Sequence, residues 1–261
     1  MKLVVKIGGA AVDDKAMLQQ CARAVQQLAA EGHQVAVVHG GGAALTRMMQ
    51  ALGKESEFIN GLRVTDGPTR DMALMVLAGG VNKALVAALS AIGQPAMGLC
   101  GGDGLAFRAR KKMTNGVDLG FVGEISSADP RWIEAIWNCG AIPVISSLAL
   151  GSDGEYYNVN ADQMAAACAV ACQANALIFL TDVQGVKDSH GSVIRWLNLK
   201  EIAGLERDSV VSGGMLPKLA ACKEALRRGV GRVRILPASD ASHLPDFYSA
   251  RIESGTEVMV A

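Results

Sequence analysis

The sequence predicts an α/β protein built on a mainly parallel sheet, and three features of the chain support this. Short hydrophobic runs rich in β-branched residues, such as residues 35–39 (VAVVH), suit strands that are buried on both faces of a sheet. Stretches with helical spacing lie between these runs; residues 13–31 place Met17, Cys21 and Leu28 on one face. Glycines directly follow several of the runs, which is typical of tight strand-to-helix turns.

The predicted elements alternate along the chain. Strands are predicted at residues 2–7, 35–39, 96–99, 141–145, 176–180, 232–236 and 257–260. Helices are predicted at residues 13–31, 43–52, 69–77, 81–92, 164–171 and 242–248, with two more that begin at Asp129-Pro130 and after Gly214. Residues 105–125 alternate in character, which predicts antiparallel strands appended to the parallel sheet. A boundary between two lobes is expected near Asn175.

Composition limits the class of protein. Half of the 261 residues are hydrophobic, and 25 basic residues balance 25 acidic ones, so no nucleic-acid partner is expected. The six cysteines include no CxxC pair; Cys168 and Cys172 share a helix but lack ligand-spaced neighbours, and we predict no protein metal ligand. The first predicted strand begins at Lys2, and no charged leader precedes it. No apolar run reaches the roughly 18 residues of a membrane span. A cytoplasmic protein without a membrane partner is therefore expected.

Two glycine turns point to an anion. Gly40, Gly41 and Gly42 follow the strand at 35–39, and a helix begins directly after them, so bare N–H groups and a positive helix end would meet at one place. A tight turn alone would explain one such triplet. The first strand, however, ends in Gly8-Gly9 in the same way. Two such turns could hold a chain of phosphates.

Lysines accompany the glycines. Lys6 lies within the apolar first strand, where an ammonium group is rarely left unpaired, so an anionic partner is expected near the end of this strand. Lys218 follows Gly213-Gly214 and falls in the first turn of a predicted helix that runs to Arg228. A cation there opposes the helix dipole unless a negative group lies nearby.

Polar residues in two other loops are candidates for binding. Arg63 could grip a carboxylate with two parallel hydrogen bonds, although a solvated loop arginine is the alternative. Asn158, Asn160 and Asp162 precede a nearly apolar helix; Asp162 could simply cap this helix, but three polar groups exceed what a cap requires.

Several familiar motifs are absent. The chain has neither GxxxxGK[ST] nor a complete GxGxxG, which argues against a P-loop enzyme and weakens a Rossmann interpretation. HGGG also forms the oxyanion loop of lipase-like hydrolases, but no GxSxG accompanies it here. The remaining interpretation is phosphoryl transfer supported by lysines, glycines and helix ends.

Six motifs resemble those of the acetylglutamate kinases of the amino acid kinase superfamily. They are KIGG at the start, HGGG at 39–42, NGLRVT at 60–65, DLGFVGE at 118–124, NVNAD at 158–162 and GGMLPK at 213–218. Their order covers essentially the whole chain. The resemblance implies a three-layer αβα sandwich around a mainly parallel open sheet of about eight strands.

The resemblance also implies a reaction, in which ATP phosphorylates the side-chain carboxylate of N-acetyl-L-glutamate to give N-acetyl-L-glutamyl 5-phosphate in arginine biosynthesis. In this family pattern Lys6 and Lys218 stabilise the phosphoryl group, and Asp162 holds both ammonium groups. The implied substrate-binding residues are Gly41, Gly42, Arg63, Asn158 and Asn160. The implied nucleotide-binding residues are Lys6, Gly8, Gly9, Thr181, Asp182, Gly185, Gly214, Met215 and Lys218, with magnesium held mainly by ATP phosphates.

By the same resemblance, residues 1–175 bind the acyl amino acid and form the dimer contact, and residues 176–261 bind the nucleotide. Arginine-inhibited members carry an additional N-terminal helix; since the first strand begins at Lys2, a homodimer without arginine feedback is expected.

Three alternatives stay open. Kinases for carrier-bound aminoadipate tend to lack DLGFVGE, NVNAD and GGMxPK, which are intact here. N-succinylglutamate could replace the acetyl substrate if the pocket were larger. A non-catalytic amino-acid sensor could keep Arg63 and Asn158 but lose the lysines, so the presence of Lys6, Asp162 and Lys218 favours catalysis.

Overall fold

The computed structural model describes residues 1–59, 61–113, 116–248 and 254–260. Its strands are β1 (Lys2–Ile7), β2 (Gln34–His39), β3 (Phe58–Ile59), β4 (Leu62–Arg63), β5 (Ala96–Leu99), β6 (Phe107–Lys111), β7 (Val122–Ala128), β8 (Ile142–Ser146), β9 (Leu148–Gly151), β10 (Tyr156–Val159), β11 (Ala176–Thr181), β12 (Trp196–Asn198), β13 (Arg232–Pro237) and β14 (Thr256–Met259). Its α-helices are α1 (Gly9–Asp13), α2 (Lys15–Ala30), α3 (Gly42–Ala51), α4 (Gly67–Ala73), α5 (Asn82–Ser90), α6 (Arg131–Asn138), α7 (Ala161–Ala171), α8 (Leu199–Arg207) and α9 (Met215–Arg227). Asn60, the first residue of NGLRVT, lies outside the described residues.

Eight strands form one open sheet in the order β12-β14-β13-β11-β1-β2-β8-β5. All neighbours are parallel except β13 and β14, which pair antiparallel. The mainly parallel open sheet of about eight strands that the family resemblance implied is therefore confirmed. Strands from residues 1–175 form one side of this sheet and strands from later residues the other, and β1 pairs with β11 where the two sides join.

Helices cover both faces of the sheet, which makes three layers. One hydrophobic cluster contains side chains from α6, α7, α8 and α9, and the other contains side chains from α2, α3 and α5. Residues of β1 alternate between these clusters, since Val4 belongs to the first and Val5 to the second. Burial of apolar surface on both faces explains why the strands are hydrophobic along their whole length.

Four further strands form a small sheet in the order β10-β7-β6-β9, which closes on itself because β9 also pairs with β10. β6 and β7 are antiparallel, as the alternation in residues 105–125 predicted. The parallel pairing of β10 with β7 brings Asn158 opposite Val122. This small sheet thus joins the DLGFVGE and NVNAD motifs.

The two helices predicted at 69–77 and 81–92 are one continuous helix, so the predicted break is wrong. A π-helical segment, Leu74–Val81, runs through Gly79 and Gly80 and connects α4 to α5. The wider turns of this segment keep the helix continuous while it packs against α3, β8 and β9. The continuous helix Gly67–Ser90 is long and apolar enough to span a membrane by length and composition, with 44% of its most apolar window buried in the protein.

Other helices also differ from the predictions. The helix predicted at 13–31 begins at Gly9 and is interrupted at Asp14, whose carboxylate accepts hydrogen bonds from the first turn of α2. α8 was not predicted, although Asn198 and Glu201 form a capping box at its start. The helix predicted at 242–248 is a pair of 3₁₀ segments, Ala238–His243 and Pro245–Tyr248.

Candidate active site

Two lysines meet one carboxylate at the centre of the molecule. Lys6 Nζ lies 2.8 Å from Asp162 Oδ1, and Lys218 Nζ lies 3.0 Å from Asp162 Oδ2. All three residues are buried, with 6–8% of their surface exposed. Asp162 is therefore the anionic partner that the sequence predicted for Lys6. Lys218 shares this partner, although Lys218 and Asp162 lie 56 residues apart in the chain.

Three different elements supply this group, which we call the triad. Lys6 lies on β1 and shares the sheet face of Val4, the face that α7 and α9 cover. Asp162 lies in the first turn of α7, and Lys218 lies in α9, beginning at Met215. The carboxylate of Asp162 places negative charge near the start of α9. This charge offsets the unfavourable interaction between the Lys218 ammonium and the helix dipole that the sequence indicated.

Asp162 does not cap its helix, which corrects the simpler interpretation of this residue. Asn160 is the N-cap, and its Oδ1 accepts hydrogen bonds from the backbone N–H groups of Asp162 and Gln163 at 2.9 and 3.2 Å. With the cap supplied by Asn160, both carboxylate oxygens of Asp162 are available to the lysines.

Burial and charge act against each other in the triad. Burial lowers the pKa of Lys6 below its usual 10.5, and the Asp162 carboxylate offsets this shift only in part. Burial would raise the pKa of Asp162, but the two ammonium groups outweigh it, so the pKa falls below 3.8. Asp162 is thus ionised at neutral pH, and two cations around one anion leave an excess of positive charge.

A cavity of about 440 Å³ opens beside the triad. Its lining combines the ends of β1 and β11 with the start of α9. The lining residues are Lys6, Gly8, Gly9, Ala10, Asp162, Thr181, Asp182, Val183, Ser212, Gly214, Met215 and Lys218. The structure thus brings together all but one of the residues predicted for the nucleotide, and it adds Ser212, which the sequence analysis missed although it precedes GGMLPK directly.

Gly185 is not among the residues that line this cavity. Its φ is +142°, and a Cβ built there would lie 2.8 Å from Thr256 Oγ1 and 3.2 Å from the carbonyl carbon of Gly255. Packing against β14 accounts for this glycine, and its predicted role at the nucleotide stays a prediction.

A second, smaller cavity of about 200 Å³ lies on the other side of the glycine turns. Residues from the start of α3, from β4 and from β10 line it. All five residues predicted for the substrate are in this lining: Gly41, Gly42, Arg63, Asn158 and Asn160. Ser147 and Leu77 also line the cavity, and the sequence analysis had not singled them out.

Arg63 is buried among neutral groups, so the solvated-loop alternative is wrong. Its Nη2 donates to Gly42 O at 3.0 Å and to Thr46 Oγ1 at 2.7 Å, and its Nη1 donates to Ser56 Oγ. Burial lowers the pKa of this guanidinium. No carboxylate from the described ranges lies within ion-pair distance of it. A buried cation without a protein anion is well suited to an anionic ligand.

Thr65, which the sequence analysis missed, connects Arg63 to Asn158. This fully buried hydroxyl donates to Arg63 O at 2.9 Å and accepts from Asn158 Nδ2 at 3.3 Å. Thr65 lies within NGLRVT, so the motif contained the residue but gave no sign of its distant partner.

The two cavities adjoin at the glycine turns. A Cβ on Gly9 would lie 3.5 Å from Gly41 N and 3.6 Å from Gly42 N. Parallel pairing explains why Gly9 lies close to Gly41 and Gly42. Ile7 is opposite His39, so the carboxyl ends of β1 and β2 lie at the same edge of the sheet. A ligand in one cavity can therefore reach a ligand in the other across bare backbone.

The remaining polar features contribute to the surface. Arg110 and Lys111 on β6 pair with Glu124 and Asp118 in solvent-exposed ion pairs.

Comparison with known proteins agrees with the motifs. The model of the amino acid kinase family matches residues 1–237. An acetylglutamate kinase of Acidobacterium capsulatum is 65% identical over all of both chains, and one of Koribacter versatilis is 56% identical over 99% of both. The structure of N-acetylglutamate synthase from Neisseria gonorrhoeae, complexed with coenzyme A and N-acetyl-glutamate, superposes with a TM-score of 0.88 at 26% identity, covering all of this chain and 59% of that one. The chain therefore belongs to the amino acid kinase family and, within it, to the acetylglutamate kinases.

Proposed function

We propose that the protein transfers the γ-phosphoryl group of ATP to the side-chain carboxylate of N-acetyl-L-glutamate, giving N-acetyl-L-glutamyl 5-phosphate for arginine biosynthesis. The observation that carries this proposal is the meeting of two cavities at Gly9 and Gly41, one with a buried lysine pair and one with a buried arginine. Family membership and relatives at 65% and 56% identity support the same reaction.

The reaction needs positioning and charge neutralisation more than covalent help from the protein. An oxygen of the substrate carboxylate forms a bond to the γ-phosphorus, and the bond from this phosphorus to the β,γ-bridging oxygen breaks, so its electron pair leaves with ADP. The carboxylate is already ionised at neutral pH, and no base has to remove a proton. Lys6 and Lys218 stabilise the charge on the transferred group, and Asp162 holds their two ammonium groups.

The smaller cavity serves the acyl amino acid in this proposal. The guanidinium of Arg63 and the amide of Asn158 bind the α-carboxylate, while the N–H groups of Gly41 and Gly42 contact the substrate from the other side. Asn160 keeps α7 in place through its cap, so we assign it an indirect role at this site.

The larger cavity serves ATP. Gly9 donates its N–H to a phosphate, whereas the N–H of Gly8 is already bonded to Leu180 O. Gly8, Thr181, Asp182, Gly214 and Met215 line the nucleotide, and Gly185 is assigned to the nucleotide by the family resemblance alone. Magnesium would enter with ATP and be held mainly by phosphate oxygens. Asp162, whose two oxygens already contact two lysines, is not assigned as a ligand.

Release of ADP tests the proposal directly. We expect turnover with N-acetyl-L-glutamate, ATP and magnesium, and a fall in kcat by a factor of roughly a hundred or more in Lys218→Ala, since a buried charge at the transition state is lost. Binding of N-acetyl-L-glutamate without any ADP release in the unaltered protein would instead support the sensor. A parallel assay with N-succinyl-L-glutamate and with carrier-bound aminoadipate identifies the acceptor.

A cytoplasmic homodimer is part of the proposal. β5 forms an open edge of the large sheet, where Met97 is 55% exposed, and Met75 on the neighbouring long helix is 65% exposed. Exposed apolar side chains beside an unpaired edge suit a contact with a second copy. Light scattering should give twice the chain mass, and Met97→Glu should lower it; a monomer at all concentrations would contradict the proposal.

A further inference from the structure

His39 ends β2 and directly precedes the glycine turn, and the proposed reaction leaves it without a role. It is fully buried. Its Nδ1 lies 2.8 Å from Gly40 O, and its Nε2 lies 3.1 Å from Asn82 Nδ2. Asn82, also fully buried, donates in addition to Val144 O at 2.9 Å. The ring therefore connects the glycine turn to the start of α5.

The partners of the ring fix its tautomer. Because Gly40 O is only an acceptor, Nδ1 must carry the proton, and Nε2 must accept from the amide of Asn82. Burial lowers the pKa of His39 to about 4, so the ring is neutral at pH 7. Both nitrogens of a neutral ring are then satisfied by groups that are themselves buried.

The bond to Gly40 determines where the next N–H points. No cis peptide bond is found in the described residues, and in a trans peptide the C=O of Gly40 and the N–H of Gly41 point in opposite directions. With its carbonyl held at the ring of His39, this peptide directs the Gly41 N–H away from the ring. Gly41 lines the smaller cavity, and its N–H makes no hydrogen bond to any described residue.

The turn needs such a restraint because two glycines flank the peptide. Gly41 has a φ of +154°, and neither Gly40 nor Gly41 carries a Cβ that would oppose rotation of the peptide between them. Rotation by about 180° would replace the N–H donor with a carbonyl oxygen, which repels an anion. Leu77 and Val81 close the space beside Gly41, and Asn82 follows them directly, so the same helix packs the turn and holds the ring.

We propose that His39 is a positioning residue: held by Asn82, its ring keeps the carbonyl of Gly40 away from the cleft, so that the N–H of Gly41 stays available to the anionic ligands. The inference rests on the proposed kinase function, because it states how one of the donors of that site is oriented. His39 itself touches neither substrate nor nucleotide in this account.

Two substitutions separate the restraint from packing. His39→Asn places an amide nitrogen where Nδ1 lies and can still donate to Gly40 O, whereas His39→Gln extends beyond this position and loses that bond. We expect kcat/KM to fall less than about fivefold in His39→Asn and roughly tenfold to a hundredfold in His39→Gln, a smaller loss than complete removal of such a donor causes. Val38→Ala, on the same strand, should lower Tm without changing kcat/KM and serves as the control for packing.

The result overturns the inference if His39→Gln keeps the kcat/KM of the unaltered enzyme, or if both His39 variants lose it equally. A second measurement needs no variant: nitrogen-15 NMR of the histidine rings in the unaltered protein should show His39 protonated on Nδ1 at pH 7. Protonation on Nε2 would exclude the bond to Gly40 O and would reject the inference even if the variants fail to fold. Absence of turnover in the unaltered protein would count against the proposed function alone, since the NMR result is independent of it.

Discussion

The two cavities differ in how they hold positive charge. In the larger one Lys6 and Lys218 share Asp162, so a protein anion already balances half of the buried charge. In the smaller one Arg63 is surrounded by a carbonyl, two hydroxyls and a thioether, and no described carboxylate balances it. The first arrangement fixes the geometry of the cations before any ligand binds, and the second leaves the ligand to supply the anion.

This difference predicts different consequences of substitution. Groups that organise the triad should affect stability and the chemical step together. Groups around Arg63 should mainly affect the affinity for the acceptor, because their charge is satisfied only when the acceptor is bound.

The largest effect is expected for Asp162→Asn. The substitution removes the carboxylate from two buried ammonium groups, which should lower the free energy of unfolding by about 3–5 kcal/mol and kcat by a factor of roughly a hundred or more. Urea unfolding and steady-state kinetics measure both. Glu206→Gln, which breaks a more exposed pair with Lys223 on the same helix as Lys218, should cost less than about 1 kcal/mol and leave kcat unchanged. Equal losses in the two variants would contradict the comparison.

Arg63→Lys should have the next largest effect. Lysine keeps the charge but cannot reproduce the donors at Nη1 and Nη2, so the KM for N-acetyl-L-glutamate should rise roughly tenfold to a hundredfold while the KM for ATP stays the same. Arg47→Lys, at an exposed pair with Asp13, provides the matched control. A fall in kcat with an unchanged KM for the acceptor would show that Arg63 acts in the chemical step and not in binding the acceptor.

Thr65 allows a finer test of the smaller cavity. Thr65→Val keeps the shape but removes the hydroxyl between Arg63 O and Asn158 Nδ2, a loss of about 1 kcal/mol, so the KM for the acceptor should rise about fivefold. Thr65→Ser keeps the hydroxyl and should restore most of the affinity, which titration calorimetry can measure. If valine and serine behave alike, the hydroxyl does not position Asn158.

The smallest effect is expected in the pH profile. Because burial lowers the pKa of Lys6, its ammonium is lost as pH rises through a value below 10.5, and kcat should fall on the alkaline side before an ordinary lysine would titrate. In Lys6→Arg this alkaline fall should disappear, whatever the activity that remains, since guanidinium stays charged. A profile that is flat to pH 10 in the unaltered enzyme would argue against a lowered pKa of Lys6.

Local patterns predicted seven of the eight strands of the large sheet, the glycine turns and the identity of the charged residues, because each depends on a few neighbouring residues. The choice between Asn160 and Asp162 as cap could not be predicted, since both side chains can accept from N–H groups and the decision depends on Lys6 and Lys218, far away in the chain. The same limit applies to Arg63, whose burial arises from groups in α3.

The continuous helix shows a different limit. Gly79 and Gly80 disfavour a helix by local preference, and tertiary packing overrides this preference through the π-helical segment. Gly185 is the reverse case: the family resemblance assigned it to the nucleotide, which stays a prediction, and the structure shows a packing contact with Thr256 that no local pattern indicated.

The π-helical segment also determines how far α5 is rotated about the helix axis relative to α4. Each residue of an α-helix turns the chain by about 100°, so a one-residue deletion within Leu74–Val81 would rotate α5 by about that angle relative to α4. Asn82 would then face away from β2, and the face of the helix that covers Gly41 would change. Length variation here should be tolerated far less than in a surface loop, even though no residue of α5 is among those that line the two cavities.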